Sequence, residues 1–317
     1  MTEFSGYFGE KSGKSCSIDL DALQEKIGGN MPIVANALGN LGCETICVGA
    51  MGYPEPEQIF TAMNSNCKLL SVTNPGYCYA LEFGDSKLML ATNTHLDHLN
   101  YQKITECVPE ASLIEYFDQC DAIAFLNWGE LINSNDIWGN ILRRIIPKCK
   151  FNGRKLMLID FSDFSKRGSN EVEKMLELLE GYSENFDITI SVNGNELGLL
   201  LEKLQLGNYR DMSDEQLVML AERLKSKNFV IHLLDTTKYV KNSNVYSLEK
   251  EVIKDPKIIT GGGDNFNAGL LFGLLLGLDI ENAIRIGSGL SCLYVEGADN
   301  LNFQKLKSYF DQRRDAL

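Results

Sequence analysis

Three consecutive glycines run into an aspartate at Gly261-Gly262-Gly263-Asp264, and a long apolar stretch, Ala268 to Leu278, follows. This pattern predicts a tight loop feeding the N-terminus of a buried helix. Glycine reaches positive φ and lets another group approach the backbone closely. A helix N-terminus offers free N–H groups and a partial positive charge, which together favour an anion. Asp264 then stands beside that anion site. The pair suits phosphoryl transfer: N–H groups stabilise charge on the moving phosphoryl group, and the carboxylate takes the proton of the attacking hydroxyl. The plainer alternative is a glycine turn in which Asp264 only caps the helix.

Two further stretches carry chemistry. Gly28-Gly29-Asn30 leads into a helix with apolar residues at 34, 37, 38 and 41, closed by Gly42 and followed by a strand from Thr45 to Val48. Asn193-Gly194-Asn195-Glu196 follows a strand from Ile188 to Val192. Its oxygen donors suit a hard cation that keeps its waters, such as Mg²⁺; the same four residues also read as a capping-box-like helix start. Gly13-Lys14-Ser15 has part of a phosphate-loop pattern, but Phe8 stands where that pattern needs glycine. It reads as a loop leading into a short strand, Ser15 to Leu20. His95 and His98 read as structural or surface residues.

The elements that position these residues come from periodicity. A helix from Glu57 to Ser65 precedes a strand from Leu69 to Thr73. Tyr77 to Phe83, Gly84-Asp85-Ser86 and Lys87 to Ala91 form a hairpin, read as a flap outside the main sheet. From Asp121 onward, strands at 122–126, 155–159, 188–192 and 229–234 alternate with helices at 137–146, 170–181, 196–204 and 213–227. Short strands at 245–248 and 251–253 precede the glycine loop. Helices at 280–295 and 303–311 close the chain. Apolar strands alternating with helices predict an α/β fold with a doubly wound parallel sheet. Ligands of such sheets bind at the carboxyl ends of the strands. Asp160, Asn193 and the Gly261–Asp264 loop fall at that edge.

Composition sets the bounds. The chain has 317 residues, 44% apolar and 23% charged, as in an ordinary globular protein of one large domain. A net charge of −13 disfavours nucleic acid or an anionic membrane surface as a main partner. No segment reads as a membrane span or signal peptide. Nine scattered cysteines read as reduced thiols of a cytoplasmic protein.

With these motifs in view, the chain resembles the ribokinase-like (PfkB) family of carbohydrate and nucleoside kinases from about Gly28 to the C-terminal helix. The carriers are Gly28-Gly29-Asn30 with its helix, Asn193-Gly194-Asn195-Glu196, and Gly261-Gly262-Gly263-Asp264 with Asn265-Phe266-Asn267-Ala268-Gly269. The resemblance implies a single ribokinase-like domain over 1–317, a Rossmann-like sheet with a small β lid built from about 77–91. It implies transfer of the γ-phosphoryl group of ATP, with Mg²⁺, to a hydroxyl of a small sugar or nucleoside. Carried over, Asp264 is the base and Gly261, Gly262 and Gly263 form the anion hole. Asn193 and Glu196 organise phosphates and Mg²⁺, Glu196 through water. Gly28, Gly29 and Asn30 face the acceptor. The resemblance also implies a homodimer through paired lids. Apart from the family motifs, Asp160 at its strand end is expected to orient phosphate or Mg²⁺.

The chain departs from the family pattern at several places. Ile258 and Ile259 stand where the family has Asp-Thr, His232-Leu233-Leu234 where a glycine-bearing turn meets the nucleotide, and Ser288 where asparagine is common. The family's first strand, ending in an aspartate that holds sugar hydroxyls, has no clear counterpart before Gly28. Either that strand lies upstream, or the acceptor site is rebuilt. A second reading follows: a kinase-like binder of sugar or nucleotide with weak or no turnover. A dinucleotide oxidoreductase is disfavoured, because Phe266 occupies the place of the last glycine of its fingerprint.

Overall fold

The computed structural model describes residues 2–83, 87–258, 260–297 and 301–313. Four consecutive parallel strands form its centre: β5 (Ala122–Leu126), β6 (Lys155–Asp160), β7 (Phe186–Asn193) and β8 (Asn228–His232). Two antiparallel strands, β9 (Thr236–Lys241) and β10 (Asn244–Glu249), extend the sheet beyond β8. The sheet is therefore parallel in its middle and antiparallel at one edge. The short strand expected at 251–253 is absent, and β9 takes its place as the inner strand of the edge hairpin.

Successive residues of a strand face opposite sides of a sheet, and both sides are apolar here. Met157 and Ile159 face α6 (Ser134–Asn140), α7 (Ser169–Tyr182), α8 (Gly194–Lys203) and α9 (Asp214–Arg223) in one core. Leu158 and Val230 face the other core, built by α2 (Asn30–Asn40), α10 (Gly262–Leu275), α11 (Ile280–Val295) and α12 (Phe303–Gln312). Helices on both faces make this the doubly wound α/β sandwich that the alternating pattern predicts.

The pair α10–α11 packs unusually close. A Cβ at Gly269 would lie 2.7 Å from the Gly287 Cα, and one at Gly273 would lie 2.6 Å from the Ala283 Cα. Glycine is required at these points by the approach of the other backbone.

The first part of the chain is arranged differently. Helix α1 (Thr2–Glu10) forms where no element was expected, and residues 15–28 have no regular structure. The strand expected from Ser15 to Leu20 is not formed, because this exposed run pairs with no sheet edge. Strands β1 (Thr45–Ala50) and β2 (Cys67–Thr73) pair in parallel as a separate two-stranded sheet. The helix expected from Glu57 to Ser65 is reduced to α3 (Gln58–Thr61). Strands β3 (Tyr77–Glu82) and β4 (Lys87–Thr92) form the expected antiparallel hairpin outside the main sheet, and its turn at 84–86 lies outside the described residues. Helices α4 (Tyr101–Cys107) and α5 (Glu110–Gln119) complete the layer before β5. Among the described residues no helix is long and apolar enough to cross a membrane.

Candidate active site

A cleft of about 2710 Å³ runs from the β3–β4 hairpin past the start of α10 to the facing edges of β1 and β5. Gly28, Gly29, Asn30, Asn193, Glu196, Gly261 and Asp264 all line it. The three glycine and asparagine motifs, far apart in sequence, therefore open onto one space.

The glycine loop owes its shape to Gly261, which caps α10 in the left-handed region with φ 94°. A side chain there would meet the ring of Tyr294, whose hydroxyl lies 2.8 Å from the position of a Cβ. That hydroxyl donates to the Thr260 carbonyl at 3.0 Å, tying the loop to the end of α11. The first bond of α10 runs from the Asn265 N–H to the Gly261 carbonyl. The N–H groups of Gly262, Gly263 and Asp264 precede it and have no acceptor within the helix. The expected anion hole is Gly261, Gly262 and Gly263; of these only Gly261 lines the cleft, with Asp264 beside it.

Asp264 sits in the first turn of α10, and its Oδ1 accepts from the Asn30 amide at 2.9 Å. This bond joins the two glycine motifs, since Asn30 opens α2 directly after Gly29, itself at φ 84°. Burial pushes the Asp264 carboxyl up to about 7; the nearby Asp160 adds to the rise and the Asn30 bond opposes it. A carboxyl poised near neutrality is suited to accept a proton.

Asn193 ends β7 and caps α8. Its Oδ1 accepts from the Glu196 N–H at 3.0 Å, while Glu196 accepts from the Asn193 N–H at 3.0 Å and from its amide at 2.7 Å. The capping-box alternative is thus realised in full, and it leaves Glu196 buried on the cleft wall. Burial raises the Glu196 carboxyl to about 8, with Asp160 and Asp264 contributing.

Asp160 ends β6 as expected, but its carboxylate is turned into the protein. One oxygen accepts from the Ser162 N–H at 2.7 Å and the Ser162 hydroxyl at 3.2 Å, and the other accepts from the Asn267 amide. Burial raises its pKa.

The departures from the family pattern take these places. His232 ends β8 and packs tilted against Phe266, ring centroids 4.9 Å apart, with its imidazole pushed down to about 3, chiefly by burial. Leu233 closes a turn onto Thr236, and Leu234 is 79% exposed. Ile258 lines the cleft, Ser288 lies within α11, and Ile259 falls outside the described residues. Tyr294 and Asn267 are residues that sequence reasoning misses. Asn267 lies inside the motif that follows Asp264; Tyr294, on a distant helix, carries no local signal.

The chain is similar to known proteins over most of its length. The family model for prokaryotic ketohexokinase matches residues 2–313. A ketohexokinase of Haloferax volcanii is 24% identical over 295 residues, covering 92% of this chain and 78% of that protein. Among solved structures, a probable sugar kinase from Rhizobium etli superposes with a TM-score of 0.70 at 16% identity, covering 98% of this chain and 87% of the other. Ribokinase from Thermotoga maritima gives 0.67 at 14% identity, covering 95% and 92%. Adenosine kinase from Sinorhizobium meliloti gives 0.66 at 16%, covering 99% and 88%.

Proposed function

The chain belongs to the prokaryotic ketohexokinase family and is a carbohydrate kinase, and on that premise we propose that it transfers the γ-phosphoryl group of ATP, with Mg²⁺, to a hydroxyl of a ketohexose. The observation that carries this reading is the buried Asp264 carboxyl, held by Asn30 beside the free N–H groups of α10. Asp264 accepts the proton of the attacking hydroxyl, for which a pKa of about 7 is well matched. The N–H groups of the Gly261–Gly263 loop stabilise charge on the transferring group. Gly28, Gly29 and Asn30 orient the acceptor against Asp264. The hairpin β3–β4 closes over it and excludes water, and paired hairpins of two copies form a homodimer.

The residues present fit Mg²⁺. Asn193 and Glu196 offer oxygen donors on the cleft wall, and among the described residues no group of three or more His, Cys, Asp or Glu could hold a metal by itself. That suits an ion held by one carboxylate, waters and substrate phosphates. When bound, Mg²⁺ neutralises phosphate charge. Glu196 would hold its water shell, and Asn193 would keep Glu196 in place.

The competing reading is a sugar or nucleotide binder without turnover, favoured by the exposed Leu234 turn. ADP formation from ATP and Mg²⁺, measured with pooled ketohexoses, other sugars and nucleosides, separates the two. A signal confined to a ketohexose pool and lost in Asp264→Asn supports the kinase. Binding without ADP formation in any pool supports the binder.

A further inference from the structure

Helix α10 carries the proposed base, yet almost every contact that seats it is apolar. Its buried face is Phe266, Ala268, Leu270, Leu271 and Phe272, packed through Gly269 and Gly273 onto α11. Apolar packing and the glycine contacts set which face of α10 meets α11. Directional bonds refine the place of its first turn. At its first turn, one such bond comes from Asn30. Another comes from the sheet: Asn267, one turn beyond Asp264, donates to Asp160 at the end of β6.

We propose that Asp160 and Asn267 are positioning residues, a buried tie between β6 and α10 that sets the place of Asp264 and of the glycine N–H groups. The proposal rests on the reading of Asp264 as the base.

Stability does not account for this pair. Asp160 is 5% exposed, Asn267 is fully buried, and no ion pair among the described residues includes Asp160. A buried acid without a cation is costly, and an apolar pair of similar size would fill the place more cheaply. The surroundings are also incompletely satisfied. The Asn267 Oδ1 has no hydrogen-bond partner, and neither has the hydroxyl of Ser191, which lies opposite Asp160 in the strand register. What the pair does provide is geometry. Ser162 pins one oxygen of Asp160 through two bonds, so the other can point in only one direction, toward Asn267.

The test uses three variants of the full chain. Asn267→Leu and Asp160→Leu remove the tie while filling the space. Asp160→Asn preserves it, because Asn267 can turn its amide and accept through its free Oδ1. A displacement of the reacting groups by about 1 Å costs about 10²-fold in rate. Both Leu variants are therefore expected to lose about that much in kcat, with KM for sugar and ATP within about threefold. Asp160→Asn is expected to fall by no more than about tenfold. Loss in KM rather than kcat, or an Asp160→Asn variant as weak as Asp160→Leu, would sink the proposal. Amide hydrogen exchange gives a readout independent of turnover. Amides 262–268 are expected to exchange about tenfold faster in Asn267→Leu than in wild type, and not in Asp160→Asn. Unchanged exchange in Asn267→Leu would overturn the tie. Absence of turnover in wild type would instead remove the kinase reading, leaving the exchange result to decide this one.

Discussion

Replacing Asp264 by asparagine should abolish turnover and, above neutral pH, make the protein more stable. An aspartate in water releases its proton near about pH 3.9, and each pKa unit is worth about 1.36 kcal/mol. In the folded protein burial and Asp160 hold Asp264 protonated to about 7. The unfolded chain therefore gives up this proton at lower pH than the folded one. Stability linked to the group is full below about pH 4 and is lost as pH rises through the folded value. Keeping the ionised form in place costs about 4 kcal/mol on this reckoning. Asparagine removes that cost and retains an oxygen to accept the Asn30 amide. Part of the cost is shared with Asp160, so the expected gain at about pH 8 is about 2–4 kcal/mol, and Tm rises on the order of 4–8 °C for a chain of this size. Thermal unfolding of both proteins at about pH 5 and about pH 8, beside the ADP assay, measures it. An asparagine variant no more stable than wild type at the higher pH, or equally stabilised at both, would refute the electrostatic argument.

Three further outcomes are expected. Gly269→Ala places a Cβ 2.7 Å from Gly287 Cα and 2.9 Å from the Ile286 carbonyl; overpacking of this kind costs about 1–3 kcal/mol in urea unfolding. Gly261→Ala combines a left-handed backbone with the Tyr294 ring; it should lower kcat by at least about tenfold in the steady-state assay by moving the N–H groups. Deleting the hairpin formed by β3 and β4 should raise KM for the sugar by about tenfold or more and leave KM for ATP nearly unchanged. An unchanged sugar KM would remove the lid role.

Much of this arrangement was legible in the sequence because its signals are local. Glycine before an apolar run marks the start of α10, and the apolar stripe from Val34 to Leu41 marks α2. The long buried strands β6, β7 and β8 read directly, since both their faces lie in a core. The elements that escaped are those whose partners are distant or polar. Strand β9 reads Thr-Thr-Lys-Tyr-Val-Lys, and it is held by pairing on both sides rather than by its own apolarity. Ser15 to Leu20 alternates like a strand, but a strand needs an edge to join. Helices α4 and α5 are short, so their packing decides them: α4 against β2 and α6, and α5 against the helical residues 141–148 after α6. In the site, Asp160 was placed at the correct sheet edge. Its inward turn depends on Ser162 and Asn267, a contact 107 residues away that no local pattern encodes.

The same carboxylates govern how a nucleotide can enter. Asp160, Glu196 and Asp264 come from β6, α8 and α10; Asp160 raises the proton affinity of both others, and Asp264 adds to that of Glu196. None of the three joins an ion pair among the described residues. A triphosphate would bring several more negative charges to this wall. Two like charges about 4 Å apart at an effective dielectric constant of about 20 repel by about 4 kcal/mol. A helix N-terminus offsets only about half a unit charge. Backbone N–H groups alone therefore cannot seat the donor against Glu196 and Asp264; a divalent cation or protonation has to make up the difference. Titration of ATP into the protein by calorimetry, with Mg²⁺ and with chelator, tests this at about pH 9, above the values to which Glu196 and Asp264 are raised, where protonation helps little. Affinity is expected to fall by at least about tenfold per 1.4 kcal/mol of uncompensated repulsion, hence about 10²-fold or more without the cation. Equal affinity in chelator would mean that the donor phosphates lie away from these carboxylates, and the assignment of Asn193 and Glu196 would fall with it.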